Sequence, residues 1–134
     1  MIAVDTSVVV AAFASWHEGH ASARKALARG PRLPSHVAVE SLSVLTRLPH
    51  PHRAPAAVVV EFLESSFPDP LLTLPQKGVK ALLRNAAAAR ISGGAIYDAL
   101  VAATARHAGA TLLSRDRRAA RVYERLGALY ELLL

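Results

Sequence analysis

The sequence predicts a single α/β domain spanning residues 1–134, with helices sandwiching a small, mostly parallel sheet. Three observations predict it. Short apolar segments of strand character alternate with longer helical ones, and Gly and Pro mark most of the boundaries. Apolar residues make up 52% of the 134-residue chain, and mean hydropathy is +0.27. That is enough for one core burying roughly two thirds of the unfolded surface.

Taken in order, Ile2-Ala3-Val4 reads as a short buried strand ending at Asp5, followed by a helix from Ser7 to Phe13. A helix over His17–Ala28 is stopped by Gly30-Pro31. Ser35 is the expected N-cap of a helix over His36–Leu48, which Pro49-His50-Pro51-His52 ends. Another helix covers Pro55–Ser65, and Leu71-Leu72-Thr73 is a second strand. Pro75 suits the first position of a helix running to Arg90. After the Ser92-Gly93-Gly94 loop, Ala95–His107 is helical and closed by Gly109. Ala110–Leu113 is a strand, Arg117–Leu126 a helix closed by Gly127, and Ala128–Tyr130 a last short strand.

Composition excludes several classes. The longest apolar runs reach seven residues, far short of the ~20 that cross a bilayer, so no membrane association is expected. The first residues lack a basic segment and a cleavage site, so secretion is not expected. Cysteine is absent, which removes disulfides and thiolate metal sites and fits a cytoplasmic protein. Net charge is +6, with thirteen arginines against three lysines. Guanidinium groups suit phosphate, although a genome rich in Arg and Ala codons gives the same bias. No phosphate-binding glycine loop is present, since Ser92-Gly93-Gly94 is too short for one.

Four acids carry the functional argument: Asp5, Glu40, Asp98 and Asp116. Singly, Asp5 and Asp116 each fit an N-cap, and Asp98 fits the first turn of a helix. Glu40 has no such role. It shares a helical stripe with Val37, Val44 and Leu48, where an acid must be paired or face a polar cleft. In a parallel sheet, ligand sites form beyond the carboxyl ends of strands. Asp5 and Asp116 should therefore emerge at the same edge, and one shared site explains all four acids. Gathered carboxylates need a compensating cation, and oxygen donors suit Mg²⁺ or Mn²⁺. A metal-dependent phosphodiesterase is the reading that follows. Thr6, Ser7 and Ser114 would orient ligands or donate to phosphate. Arg117, Arg121 and Arg125 form one helical stripe, with Arg115 and Arg118 close by. The stripe is either an RNA-backbone contact or a solvated helix face.

Other residues are weighed and set aside. His36, His50 and His52 lack the spacing of a zinc site. Phe13 and Trp16 are expected to pack at the edge of the core rather than stack on bases. Val58, Val59, Phe62 and Leu63 make an apolar face that core, dimer contact or partner groove would equally explain.

At the four acids the chain resembles a known family. Val4-Asp5-Thr6-Ser7, Ala38-Val39-Glu40, the Ile96–Ala105 segment around Tyr97-Asp98-Ala99, and Leu113-Ser114-Arg115-Asp116 resemble the four motifs of PIN-domain nucleases, in order and over essentially the whole chain. A stand-alone domain of this length most resembles a VapC toxin of a VapBC toxin–antitoxin pair. The resemblance implies a three-layer α/β/α fold, Mg²⁺ or Mn²⁺ dependence, endoribonuclease activity leaving a 5′-phosphate, a VapB-like antitoxin and a homodimer. On this reading Asp5 and Asp98 ligate the principal metal, Asp116 completes or supports its shell, and Glu40 holds or orients the attacking water. The near end of the arginine stripe, Arg115, Arg117, Arg118 and Arg121, begins beside Asp116 and is the candidate contact to RNA. One departure stands out: no acid follows Asp116 before Glu124, so any second metal would be weakly held. The rival from another class is a PIN-like module that grips RNA or an antitoxin without cutting. An aspartyl phosphotransferase is disfavoured because Ser7 stands where a second Asp is usual.

Overall fold

The computed structural model describes residues 1–134. Strand β1 (Ile2–Val4) leads into α1 (Thr6–Phe13), followed by α2 (His20–Leu27), α3 (Ser35–Thr46), α4 (Ala56–Ser66), α5 (Gln76–Ala88) and α6 (Ala95–Ala108). Strand β2 (Thr111–Ser114), α7 (Arg117–Arg125) and β3 (Tyr130–Leu132) complete the chain. The sheet has the order β1-β2-β3 and is parallel throughout. The register pairs Val4 with Leu113 and Leu113 with Glu131. The α/β class is the expected one.

Two details of the sheet differ from expectation. Leu71–Thr73 is not a strand of the sheet: only Leu72 makes a bridge, to Pro34. The extended segment Arg32–Pro34, hidden in the sequence between two prolines, takes the place beside β1. Arg32 N–H donates to the Ile2 carbonyl at 2.8 Å, and Val4 N–H to the Arg32 carbonyl at 3.1 Å. Leu72 N–H then donates to the Leu33 carbonyl at 2.9 Å. Pro31 and Pro34 lack the N–H groups needed to lengthen this ladder, which stays at single bridges.

Helix ends shift for local reasons. Ser35 is not a side-chain N-cap: Pro34 holds that position, and Ser35 N–H is spent on the Leu72 carbonyl at 2.8 Å. Pro75 is likewise the cap residue rather than the first helical one. α2 starts three residues later than expected, because His17 Nδ1 accepts the Gly19 N–H at 2.9 Å and holds a turn there. β3 starts two residues late because Gly127 (φ +72°) and Ala128 close α7. Gly127 N–H bonds the Glu124 carbonyl and Ala128 N–H the Tyr123 carbonyl, a Schellman ending that consumes both residues.

The main core lies between the sheet and α1, α3, α4, α6 and α7, with Val4, Val9, Val37, Leu45, Val59 and Leu112 fully buried. A smaller cluster of Leu82, Ala86, Ile91, Ala99 and Val122 joins α5 to α6 and α7. No helix is long and apolar enough to cross a membrane. On α4 the apolar face divides: Val59 and Leu63 are buried, whereas Val58 is 48% exposed. Leu112 sits on the central strand with no exposure. Leu112→Ala should cost about 2–5 kcal/mol, read as a lowered urea midpoint; an unchanged midpoint would place the core elsewhere.

Candidate active site

β1 and β2 are adjacent parallel strands, and each ends in a residue leading to an aspartate that caps the next helix. Asp5 is the N-cap of α1 and Asp116 the N-cap of α7. Asp98 lies in the first turn of α6, and Glu40 projects from the second turn of α3. All four line one cavity, with Thr6, Ser7 and Tyr123 also in its wall. The four acids thus come together at the sheet edge where the topology places a ligand site.

Asp5 is only 3% exposed, and three donors are directed at its carboxylate. Ser7 Oγ donates to Oδ1 at 2.5 Å, Val8 N–H to Oδ1 at 3.4 Å, and the Tyr123 hydroxyl to Oδ2 at 2.9 Å. Burial raises its pKa above the ordinary value, against the opposing pull of the Ser114, Ser7 and Tyr123 hydroxyls and the Val8 amide. Desolvation therefore outweighs four favourable partners.

Asp98 is half-buried, and its pKa is raised to about 6, first by desolvation and then by the charges of Asp116, Glu40 and Asp5; Arg118 opposes the shift. The four acids thus share one electrostatic environment. Asp116 uses Oδ1 alone for capping, accepting from Arg118 N–H at 2.9 Å and Ala119 N–H at 3.1 Å. Glu40 Oε2 meets His36 Nε2 at 3.2 Å, and the His36 ring stacks on Tyr97 with centroids 5.2 Å apart and planes 4° apart. No three of these side chains stand at ready-made chelating positions.

The hydroxyls resolve into orienting groups. Ser7 Oγ bridges Asp5 Oδ1 and the Arg115 N–H, the latter at 2.8 Å. Buried Ser114 Oγ accepts the Asp116 N–H at 3.0 Å. Thr6 makes no such bond and remains available at the cavity wall.

The arginines divide. Arg115, Arg117 and Arg118 line an open groove that shares Thr6, Ser7, Glu40 and Asp116 with the cavity. Arg121 is exposed and lies outside it. Arg125 turns away to the Ala89 carbonyl at the end of α5. The three histidines weighed for zinc serve elsewhere or stand apart: His36 on Glu40 and Tyr97, His52 against Trp16.

Two contributors escaped sequence reasoning. Tyr123 stands seven residues after Asp116, two turns along α7 on the face carrying Ala119 and Ala120. That spacing aims a buried phenol back at the cap's neighbourhood, and an aromatic hydroxyl on a buried face needs a partner. Its phenol pKa is pushed up by burial and by Asp5, so it remains a donor. His36 precedes Glu40 by four, the spacing of a helical side-chain pair.

A parallel three-stranded sheet with four acids gathered at its edge is the arrangement of a PIN domain. The family model of the PIN domain matches residues 2–125, and the chain belongs to that family. Within it the chain falls in the VapC branch: it is 50% identical over 133 residues to Ribonuclease VapC40 of Mycobacterium tuberculosis, covering 99% of both chains. Ribonuclease VapC27 of the same organism is 40% identical over 127 residues, 94% of this chain and 92% of that protein. Among solved structures, FitAcB from Neisseria gonorrhoeae matches with a TM-score of 0.73 at 17% identity, covering 97% of this chain and 96% of that one. VapBC2 from Rickettsia felis, bound to a DNA fragment from their promoter, matches at 0.68 and 16% over 98% of each chain. At such identities these two likenesses establish the fold.

Asp98 supplies a prediction for the metal-free protein. Its folded pKa, about 6, lies above the ordinary 3.8. Between those values the folded state binds a proton that the unfolded chain has released, so stability falls as pH rises through this window and stays lower above it. Asp98→Asn removes that loss. In urea denaturation with EDTA, the variant should match the parent near pH 4 and exceed it above pH 6 by on the order of 1 kcal/mol, discounted for solvent screening. A variant no more stable than the parent at pH 7 would show that burial and the neighbouring charges do not raise the Asp98 pKa in the folded protein.

Proposed function

We propose that this chain is a divalent-metal-dependent endoribonuclease, the toxin of a VapBC pair, restrained by a VapB-like antitoxin. The observation that carries the reading is the convergence of Asp5, Glu40, Asp98 and Asp116 from four separate segments onto one cavity. The matching relatives named Ribonuclease VapC support it, and the VapBC2 likeness supports the antitoxin.

The donor set fits a hard cation. Every group facing the cavity with a charge is a carboxylate, no thiolate or imidazole lines it, and the charges of Asp116, Glu40 and Asp5 raise the proton affinity of Asp98. Asp5, Asp98 and Asp116 would hold Mg²⁺ or Mn²⁺. When bound, the ion supplies neutralisation of phosphate charge and acidification of water.

The remaining work falls to this chain's own residues. Asp5, fixed by Ser7, Val8 and Tyr123, cannot swing away from the site. Asp116 keeps Oδ2 free after capping α7 through Oδ1. Glu40 engages His36 through Oε2, leaving Oε1 to accept a proton from the attacking water. Attack on phosphorus in line would break the P–O3′ bond, the 3′-oxygen leaving with a proton from solvent, to give a 5′-phosphate and a 3′-hydroxyl. Arg115, Arg117 and Arg118 would hold the RNA backbone on the approach.

Asp5→Asn and Asp98→Asn, each shown folded by circular dichroism, should lose at least about a hundredfold in RNA cleavage with Mg²⁺ or Mn²⁺, as should the parent in EDTA. Cleavage at the parent rate by either variant removes that residue from the site, and a parent that binds RNA without giving products is a binding module. For the groove, RNA affinity of the parent should fall steeply with salt. Replacing Arg117 and Arg118 by Gln should lower the log–log slope by about one to two. A slope unchanged by the double substitution would return both residues to the solvated helix face.

A further inference from the structure

We infer that the groove running along α1 is the path of single-stranded RNA and that Trp16, stacked on His52 at its far end, receives a base. The inference rests on the ribonuclease reading and specifies how that site takes its substrate.

The groove begins inside the catalytic cavity, since Thr6, Ser7, Glu40 and Asp116 line both. From there Thr6, Ser7 and Val10, one stripe of α1, form one wall, and Arg115, Arg117 and Arg118 form another. His17, just beyond the end of α1, also lines it. The chain leaves the helix at Ala14 and delivers Trp16 beside His17, with ring centroids 5.9 Å apart.

Trp16 does not pack at the core edge as the sequence suggested. It is 50% exposed, and its only close ring partner besides His17 is His52, 4.0 Å away and tilted by 32°. Phe13, by contrast, does pack inward, edge-on to Phe62 at 5.3 Å. An indole held on one side by an imidazole and open over half its surface is a pre-ordered stacking platform. Base stacking is indifferent to sequence and is worth most where the partner ring is already immobile.

The groove wall and the platform are mechanically joined. A Cβ on Gly19 would stand 2.2 Å from Arg115 Cζ, so glycine there lets the guanidinium lie across the turn that presents Trp16 and His17. Gly19 N–H also fixes the His17 ring through Nδ1. A polyanion lying on Arg115, Arg117 and Arg118 is thereby led to the aromatic pair. A protein partner would gain nothing from that continuity of cations with the acid cavity. The eight residues of α1 span about 12 Å. Stacked nucleotides advance ~3.4 Å each, which puts the base on Trp16 roughly three or four nucleotides from the scissile phosphate.

Trp16 is the only tryptophan, so its fluorescence reports the platform directly. In EDTA, a single-stranded RNA of about eight nucleotides should quench the parent's emission saturably, and a dinucleotide should not. With Mg²⁺ or Mn²⁺, W16A should raise KM for such an RNA about fivefold or more with kcat within about twofold, and W16F should recover most of the loss. Both variants are checked for folding by circular dichroism. Absence of quenching, or a KM unaffected by W16A, overturns the platform. W16A that weakens only antitoxin binding assigns the aromatic pair to a protein contact and overturns it equally. A parent that cleaves no RNA sinks the ribonuclease reading, while saturable quenching would still support the groove.

Discussion

A buried carboxylate at the end of a central strand is the constraint on which the site depends. Asp5 leaves β1 with almost no exposure, and taking such a group out of water costs several kcal/mol. Its Ser7, Val8 and Tyr123 donors each return about 1.5–3 kcal/mol as hydrogen bonds to a charged group. The pKa nevertheless stays raised, so the donors orient Asp5 without fully compensating it. What remains uncompensated is affinity for a positive charge. The donors come from α1 and α7, so the same bonds that fix the carboxylate tie the first helix to the last. Function and tertiary structure draw on the same contacts.

The chain's charge is distributed in keeping with this. The protein is strongly basic, with a pI near 10.5, yet the cavity collects four of its ten acidic residues. Arginines stand immediately outside, on the groove. Under the proposed function, a polyanionic substrate would be attracted by the surroundings and repelled by the cavity itself until a cation is bound. The proposed attraction at long range and metal requirement at short range would then follow from one arrangement. Arg118 works in both zones: its backbone N–H donates to Asp116, its charge lowers the Asp98 pKa, and its side chain borders the groove.

Much of this was legible in the sequence because the decisive residues sit at places where local rules are strong. Asp5 and Asp116 follow buried strands and open helices, so parallel topology alone sets them side by side. Glu40 stood out because it broke an apolar stripe, and the structure explains the break twice over, by the cavity and by His36. What was not legible depends on contacts distant in sequence. The Arg32–Pro34 segment is too short and too rich in proline to show strand periodicity, and it becomes extended only because β1 offers an open edge. Ser35 looks like a cap, but its amide is taken by Leu72, a partner 37 positions away in the sequence. Tyr123 reaches Asp5 across 118 positions, and Trp16 meets His52 through two loops, with no pattern in the sequence to announce either pairing. Arg121 and Arg125 fit a helical stripe but do not line the groove, because helical spacing gives a common face without saying where that face points.

The sequence posed capping and metal ligation as alternatives for the aspartates, and the geometry makes the two compatible. A carboxylate has two oxygens, and an N-cap needs one. Asp116 accepts both capping amides on Oδ1, so its second oxygen is free for the cavity at no cost to α7. Glu40 divides in the same way between His36 and the cavity. Asp98 has no capping bond to lose, and it is the acid whose proton affinity responds most plainly to the other three. Capping moreover aims each carboxylate along the axis of its helix, toward the helix N-terminus, and the helices that follow β1 and β2 begin at a common edge. The rule that places an aspartate at a helix start is therefore the rule that brings these aspartates together. A parallel sheet whose strands lead into capping acids gathers Asp5 and Asp116 as a by-product of ordinary helix initiation, and Asp98, from the first turn of α6, and Glu40, from within α3, complete the cluster.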